Sequence, residues 1–186
     1  NLMIKLTTVL LFSFLKNSMK YQAILSNKPP QIGKRHLEVM DELESMLDQG
    51  KSFSTMSDLA KKLKISLRTL YEIAPSKEEL IVTTVDRVLK KHGKIAMDAM
   101  NTHSSPIKKL ESFLTVANQA VGPRFERFTL SLSSLNSSKP MVDYHEQYIS
   151  DLIKNLLDEA RIKNEIKEID TQATALLLGG LGRYFQ

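Results

Sequence analysis

Residues 54–80 read STMSDLAKKLKISLRTLYEIAPSKEEL, and this stretch decides the fold. Its apolar residues recur at intervals of three and four, the period of a helix rather than the alternation of a strand. The spacing predicts a short helix from Met56 to Leu63, a tight turn around Lys64-Ile65-Ser66, and a second short helix from Leu67 to Ile73. Leu59, Ala60 and Leu63 face inward from the first, and Leu70 and Ile73 from the second; Ala60 is small where the two must cross closely. Pro75 stops the second helix. Ser76, with Glu79 three residues on, is a capping box that opens a third. Two short helices joined by a tight turn are a helix-turn-helix.

On either side, proline and glycine mark boundaries rather than interiors, with prolines at 29, 30, 75, 106, 123 and 140. Upstream, Leu37, Met40, Leu43 and Leu47 form a stripe that ends at Gly50, a C′ glycine. Downstream, Leu80, Ile81, Val85, Val88 and Leu89 carry the helix from Ser76 to about His103. After Pro106, Ile107, Leu110, Leu114, Ala117 and Val121 continue until Gly122. The segment Phe128–Leu132 alternates like a strand. Yet Phe125, Phe128, Leu132 and Leu135 keep helical spacing, and no turn-linked strand partner is visible, so it is read as helix. Ile149, Leu152, Ile153, Leu156, Leu157 and Ala160 make one further face; Ile166, Ile169, Ala173, Leu176, Leu177, Gly180, Leu181 and Tyr184 make another. The expectation is an all-α protein of roughly eight helices.

The chain has 186 residues, enough for one domain or a small one joined to a larger one. Apolar residues make up 42% and charged residues 25%, a composition that builds a core and is too apolar for disorder. The absence of cysteine excludes disulfides, zinc fingers, iron–sulfur clusters and thiol catalysis. The four histidines (His36, His92, His103, His145) include no i, i+4 pair to clamp a metal, so neither metal nor cofactor is expected. There is no G-x-S-x-G, no phosphate-cradling glycine loop and no paired acid/base cluster, so no enzyme is expected either. The net charge of +5 is unevenly spread: residues 51–77 hold five Lys and one Arg against Asp58 and Glu72. Such a patch suits nucleic acid or an anionic surface, or is a solvated helix face.

Residues 1–30 carry four lysines and no acid, with the apolar run LTTVLLFSFL at 6–15. Ten helical residues span about 15 Å, half a bilayer core, and no A-x-A-like cleavage site comes after it. Three readings stay open: an extension packed on the body or a partner, a non-native or upstream-read segment with Met19 the true start, or a membrane or export signal. Pro29-Pro30 separates it from the rest of the chain.

The order of residues in 54–80 resembles the TetR family of bacterial transcriptional regulators. The match runs without gaps through Thr55, Asp58, Leu59, Ala60, Ile65, Ser66, Thr69, Leu70, Tyr71, Ser76, Lys77, Glu78 and Leu80. Leu70-Tyr71 followed by Ser76-Lys77-Glu78 is its most specific part. The resemblance is strong over 34–81 and only architectural over 82–186, where the late Asp170-x-x-A-x-x-L-L-L-G run is typical of the family. It implies a helix-turn-helix DNA-binding domain at 31–81 and a helical effector-binding and dimerisation domain at 82–186. It also implies a cytoplasmic homodimer that binds double-stranded DNA, most simply a repressor released from a palindromic operator by a small molecule. The rival is a helical interaction protein with a degenerate helix-turn-helix, tethered or partnered through residues 1–28.

On that resemblance Tyr71 points its hydroxyl at a phosphate, unless it is a half-buried anchor. Lys77 opens a helix, where its ammonium and the free N–H groups make one anion site. Thr55, Ser66 and Thr69 donate short hydrogen bonds to phosphate, with Ser66 first serving as an N-cap. Leu67 against a thymine methyl and Arg68 on guanine O6/N7 are the base readers; Arg68 has the alternatives of a phosphate or Glu72 at i+4. Lys34 and Arg35 touch the backbone from the flank. Four residues depart from the pattern: Lys64 replaces the turn glycine, Ala74 a phenylalanine, Arg68 a small residue, and Glu72 brings a negative charge that repels phosphate. A pocket mixing aromatic walls with polar tips is expected from Phe113, Phe125, Phe128, Met141, Tyr144, His145 and Tyr148, each of which is otherwise plain core. Small residues on the last helix suit a partner copy, with Ala173, Leu176, Gly180, Leu181 and Tyr184 at that interface.

Overall fold

The structure, a computed structural model, describes residues 33–51 and 54–184; for Phe125 and residues 180–184 it describes the backbone alone. All regular structure among the described residues is helical: α1 (Lys34–Asp48), α2 (Met56–Leu63), α3 (Leu67–Ile73), α4 (Lys77–Met100), α5 (Pro106–Leu132), a 3-10 turn (Asn136–Ser138), α6 (Lys139–Ile162) and α7 (Thr171–Tyr184). The all-α class stands. The apolar run at 6–15 lies outside the described residues. Among those described, no helix is long and apolar enough to cross a membrane.

Helix starts obey their capping residues. Thr55 Oγ1 accepts from Asp58 N at 3.0 Å, Ser66 Oγ from Thr69 N at 3.0 Å, Ser76 Oγ from Glu79 N at 3.1 Å and Ser105 Oγ from Lys108 N at 3.2 Å. Each bond satisfies an N–H that the helix itself cannot. The turn between α2 and α3 takes the left-handed conformation at Lys64 (φ 52°, ψ 46°), where the family pattern has glycine. Ile65 N then reaches back to Ala60 O at 3.0 Å and Lys64 N to Lys61 O at 3.2 Å, the paired bonds that close a left-handed helix end. Gly50 ends α1 in the same way, at φ +63°.

Three apolar clusters organise the packing. The first joins Val39, Met40 and Leu43 of α1 to Leu59, Leu70, Ile73 and Leu80, closing α1–α3 over the start of α4. Leu37, expected on the stripe of α1, is 42% exposed; the buried face is Val39, Met40, Leu43, Met46 and Leu47, broader and turned one residue round. The second cluster packs Ala96 and Met100 of α4, Leu110 and Phe113 of α5, and Leu152, Ile153, Leu156 and Leu157 of α6 with Ala175 of α7. The third brings Leu47 of α1 against Val82, Val85 and Val88 of α4, Phe128 and Leu132 of α5, and Met141 of α6. Helix α1 thus belongs to two cores, and α4 to all three.

Two expected boundaries move. The break at Gly122 does not occur: α5 runs through Gly122-Pro123 to Leu132. Pro123 has no N–H for the carbonyl of Gln119, a loss that normally ends or kinks a helix. Here burial of Phe128 and Leu132 in the third cluster outweighs it. At the other end, Ile166 and Ile169 precede α7 instead of lying on it.

Candidate nucleic-acid interface and ligand cavity

Helix α3 divides into two faces. Leu70, Ile73 and the adjoining Ala74 are buried. Leu67 and Tyr71 are exposed, Tyr71 to 52%, and the Arg68 side chain stands almost fully in solvent. Leu70 is the anchor, which leaves the ring of Tyr71 on the outside. Ser66 and Thr69 hold each other, Oγ to Oγ1 at 2.7 Å, and Thr55 Oγ1 also bonds Asp58 Oδ2 at 2.8 Å. Lys77 opens α4 half-buried, its Nζ 3.5 Å from Ser54 O, which ties this cation to the lead into α2. Lys34 and Arg35 are exposed at the start of α1, Arg35 pairing with Glu38 at 3.0 Å.

Glu72, the departure that set a negative charge on α3, does not face outward alone. Arg68 Nε donates to Glu72 Oε1 at 2.9 Å, the i+4 alternative for Arg68, and His36 Nε2 lies 3.1 Å from Glu72 Oε2. His36 Nδ1 accepts from Gly33 N at 3.0 Å, so its ring proton sits on Nε2 and is donated to the carboxylate. These bonds, Arg68's first and His36's second, hold the Glu72 carboxyl below its usual range. His36 was not legible as a partner, because its contact is made 36 residues along the chain.

The second feature is a cavity of about 1220 Å³ between α4, α5 and α6, walled by Val85, Met97, Phe113, Val121, Phe128 and Leu132 among others. Of the seven residues expected at a pocket, Phe113, Phe128, His145 and Tyr148 line it. Met141 is fully buried in the third core cluster and does not line it, and Tyr144 meets His145 edge-on without lining it. The side chain of Phe125 lies outside the described residues. His145 Nε2 is 2.9 Å from Asp86 Oδ1, and Lys90 Nζ is 2.7 Å from Asp86 Oδ2. Burial alone would raise the Asp86 carboxyl, but the hydrogen bonds from His145 and Lys90 and the charge of Lys90 win and hold it low. Tyr148 OH rests on Met97 Sδ at 2.9 Å; burial first, and neighbouring Tyr144 second, push it up to about 12.

A charge cluster missed in the sequence joins α1 to α4 and α5. Glu44, buried on the inner face of α1, is 3.1 Å from Arg124 Nη1, 3.5 Å from Lys91 Nζ and 3.7 Å from Arg87 Nη1. Arg87 Nη2 also bonds Asp41 Oδ1 at 2.7 Å, Arg124 Nη2 pairs with Asp48 at 3.0 Å, and Arg127 Nη1 bonds Asp48 O. A signal existed: Glu44 interrupts the apolar positions Met40, Leu43 and Leu47, and a charge on an inward face requires a partner. Among the described residues, no group of three or more His, Asp or Glu side chains is placed to hold a metal.

On α7, Ala173 and Leu176 are exposed, as is Leu177, while Ala175 packs inward; the side chains of Gly180, Leu181 and Tyr184 lie outside the described residues.

This order of helices, three short ones closing on the start of a long α4 that continues into a cavity-bearing bundle, recurs in solved proteins. A protein of Pseudomonas aeruginosa PAO1 described as a transcriptional regulator superposes with a TM-score of 0.65 at 14% identity, over 86% of this chain and 82% of its own. The chain shares the fold of that protein. A Clostridium perfringens protein described as a fatty acid metabolism regulator shares this fold at a TM-score of 0.59 and 22% identity, over 78% of this chain and 82% of that one. The ketosteroid transcriptional regulator KstR2 of Mycobacterium tuberculosis does so at 0.56 and 15%, over 84% and 86%. No protein-family model and no curated protein matches the sequence.

Proposed function

We propose that the chain is a ligand-responsive, DNA-binding transcriptional regulator and not an enzyme. In this reading residues 31–81 are the DNA-binding domain and 82–186 the effector-binding and dimerisation domain. The observation that carries it is the outward face of α3, where Leu67, Arg68 and Tyr71 stand exposed over a fully buried Leu70 on the basic segment of the chain. A recognition helix requires this division: anchored behind, open in front. Tyr71, Lys77, Lys34 and Arg35 meet phosphate, with Thr55, Ser66 and Thr69 supporting; Leu67 reads a thymine methyl, and Arg68 reads guanine once it leaves Glu72.

A homodimer formed through α7, whose Leu176 is 58% and Leu177 66% exposed, presents two such helices to a palindromic operator in the cytoplasm. A small molecule in the α4–α6 cavity favours a spacing that no longer fits DNA, which makes the protein a repressor; α4 links the two sites. A hundredfold release needs only about 2.7 kcal/mol of differential ligand binding. The objection that Glu72 repels phosphate weakens, because His36 on α1 still holds its carboxylate at 3.1 Å when Arg68 leaves.

The test is fluorescence anisotropy on the DNA upstream of its own gene across a salt series. Affinity falls steeply with salt, and Lys77→Ala weakens binding about tenfold with a shallower slope. Salt-independent binding, or none, refutes DNA recognition and favours the helical interaction protein.

A further inference from the structure

Arg87 and Lys91 belong to two structures at once. Both line the cavity, and both approach the buried carboxylate of Glu44 on α1. Arg87 Nη1 is buried and makes no hydrogen bond among the described residues; Glu44 Oε2, at 3.7 Å, is too far to accept one. A donor left so in an apolar wall is costly and waits for an acceptor. Of the cations that line the cavity, Lys90 is held by Asp86, Lys94 by Asp98 and Lys139 by Asp143, each along its own helix, whereas Arg87 and Lys91 both lean on Glu44 at 3.5 Å or more. A ligand oxygen satisfies Arg87 Nη1, and an acidic one does so most strongly because it also meets the charge.

Resting on the reading of this cavity as the effector site, we propose that the effector is an apolar molecule with one acidic headgroup, which takes Arg87 and Lys91 away from Glu44. Arg87 Nη1 offers a carboxylate or phosphate the charge-assisted bond that Glu44 is too far to take, while Nη2 stays on Asp41 at 2.7 Å. Once Arg87 and Lys91 turn to the ligand, the buried carboxylate of Glu44 keeps Arg124 alone, at 3.1 Å, and α1 moves to relieve the loss. Because α1 also holds α3 through the first core cluster and His36–Glu72, the recognition helix moves with it.

The protein is titrated calorimetrically with dodecanoate, dodecyl phosphate, dodecanol and dodecylamine, and operator affinity is measured with each. The expected result is that an acid binds about tenfold more tightly than the alcohol, that the amine is weakest, and that only the acid lowers operator affinity; the two acids rank carboxylate against phosphate. Glu44→Gln removes the competitor, so dodecanoate binds about fivefold more tightly and no longer changes operator affinity. Arg87→Gln abolishes the preference for acid over alcohol while dodecanol still binds, and it serves if Glu44→Gln fails to fold. Equal binding of acid and alcohol, or a Glu44→Gln protein with unchanged or weaker dodecanoate binding, overturns the proposal and leaves the effector cavity standing. No binding by any of the four overturns both.

Discussion

The two ends of α4 lie in opposite surroundings. Its first turns are held by a small core in which Leu59, Leu70 and Leu80 have no exposed surface and the capping hydroxyls of Thr55, Ser66 and Ser76 are all engaged. From Val85 onward it borders a cavity of about 1220 Å³, with Arg87 Nη1 unsatisfied beside it and α5 carrying a proline in mid-course. Close packing fixes one arrangement, whereas empty apolar space leaves room for another. The N-terminal helices are closely packed, and the bundle behind them encloses open apolar space.

The sharpest way to break this contrast is by truncation. Leu70→Ala removes a fully buried side chain and lowers stability by about 2–5 kcal/mol in denaturant unfolding, while Val121→Ala, at the cavity wall, costs under about 1 kcal/mol. Equal losses would mean that the two ends are equally well packed.

Acid titration separates the ends by a smaller effect. The Glu72 carboxyl is held below its ordinary 4.5, so its contribution is present above that value and is lost as pH falls through the lower folded value. The stability gap between wild type and Glu72→Gln therefore closes on acidification below about 4.5. Asp86 is also depressed, and Asp86→Asn behaves alike in sign. Salt tells them apart: thermal melts at high ionic strength erase the gap for exposed Glu72 and preserve it for buried Asp86.

The smallest effect sits at the turn. Lys64 is left-handed at φ 52°, where glycine carries no Cβ penalty, so Lys64→Gly raises the melting temperature by an amount equivalent to under about 1 kcal/mol. A lower melting temperature would mean that the lysine is not strained.

These differences also mark how far the sequence was legible. Helices α2 and α3 were readable to the residue, because caps, turn and apolar spacing all lie within 27 residues and agree. The strained turn was readable too, from lysine in a glycine's place. The bundle was readable only as helices. Gly122-Pro123 read as a stop because local propensity says so, and tertiary burial of Phe128 and Leu132 overruled it. Phe113, Phe128, His145 and Tyr148 were separated from Met141 only by three-dimensional packing, since all five are apolar or aromatic-like residues at helical spacing. The Glu44 cluster needed contacts between positions 44, 87, 91 and 124, which no local pattern encodes.

Helix α4 spans 24 residues without a proline, so it is a lever about 36 Å long. A pivot of only about 5° at its cavity end sweeps its first turn through about 3 Å, the length of one hydrogen bond. A tilt too slight to disturb the fold is already enough to displace Lys77 by the reach of its contact with Ser54 O.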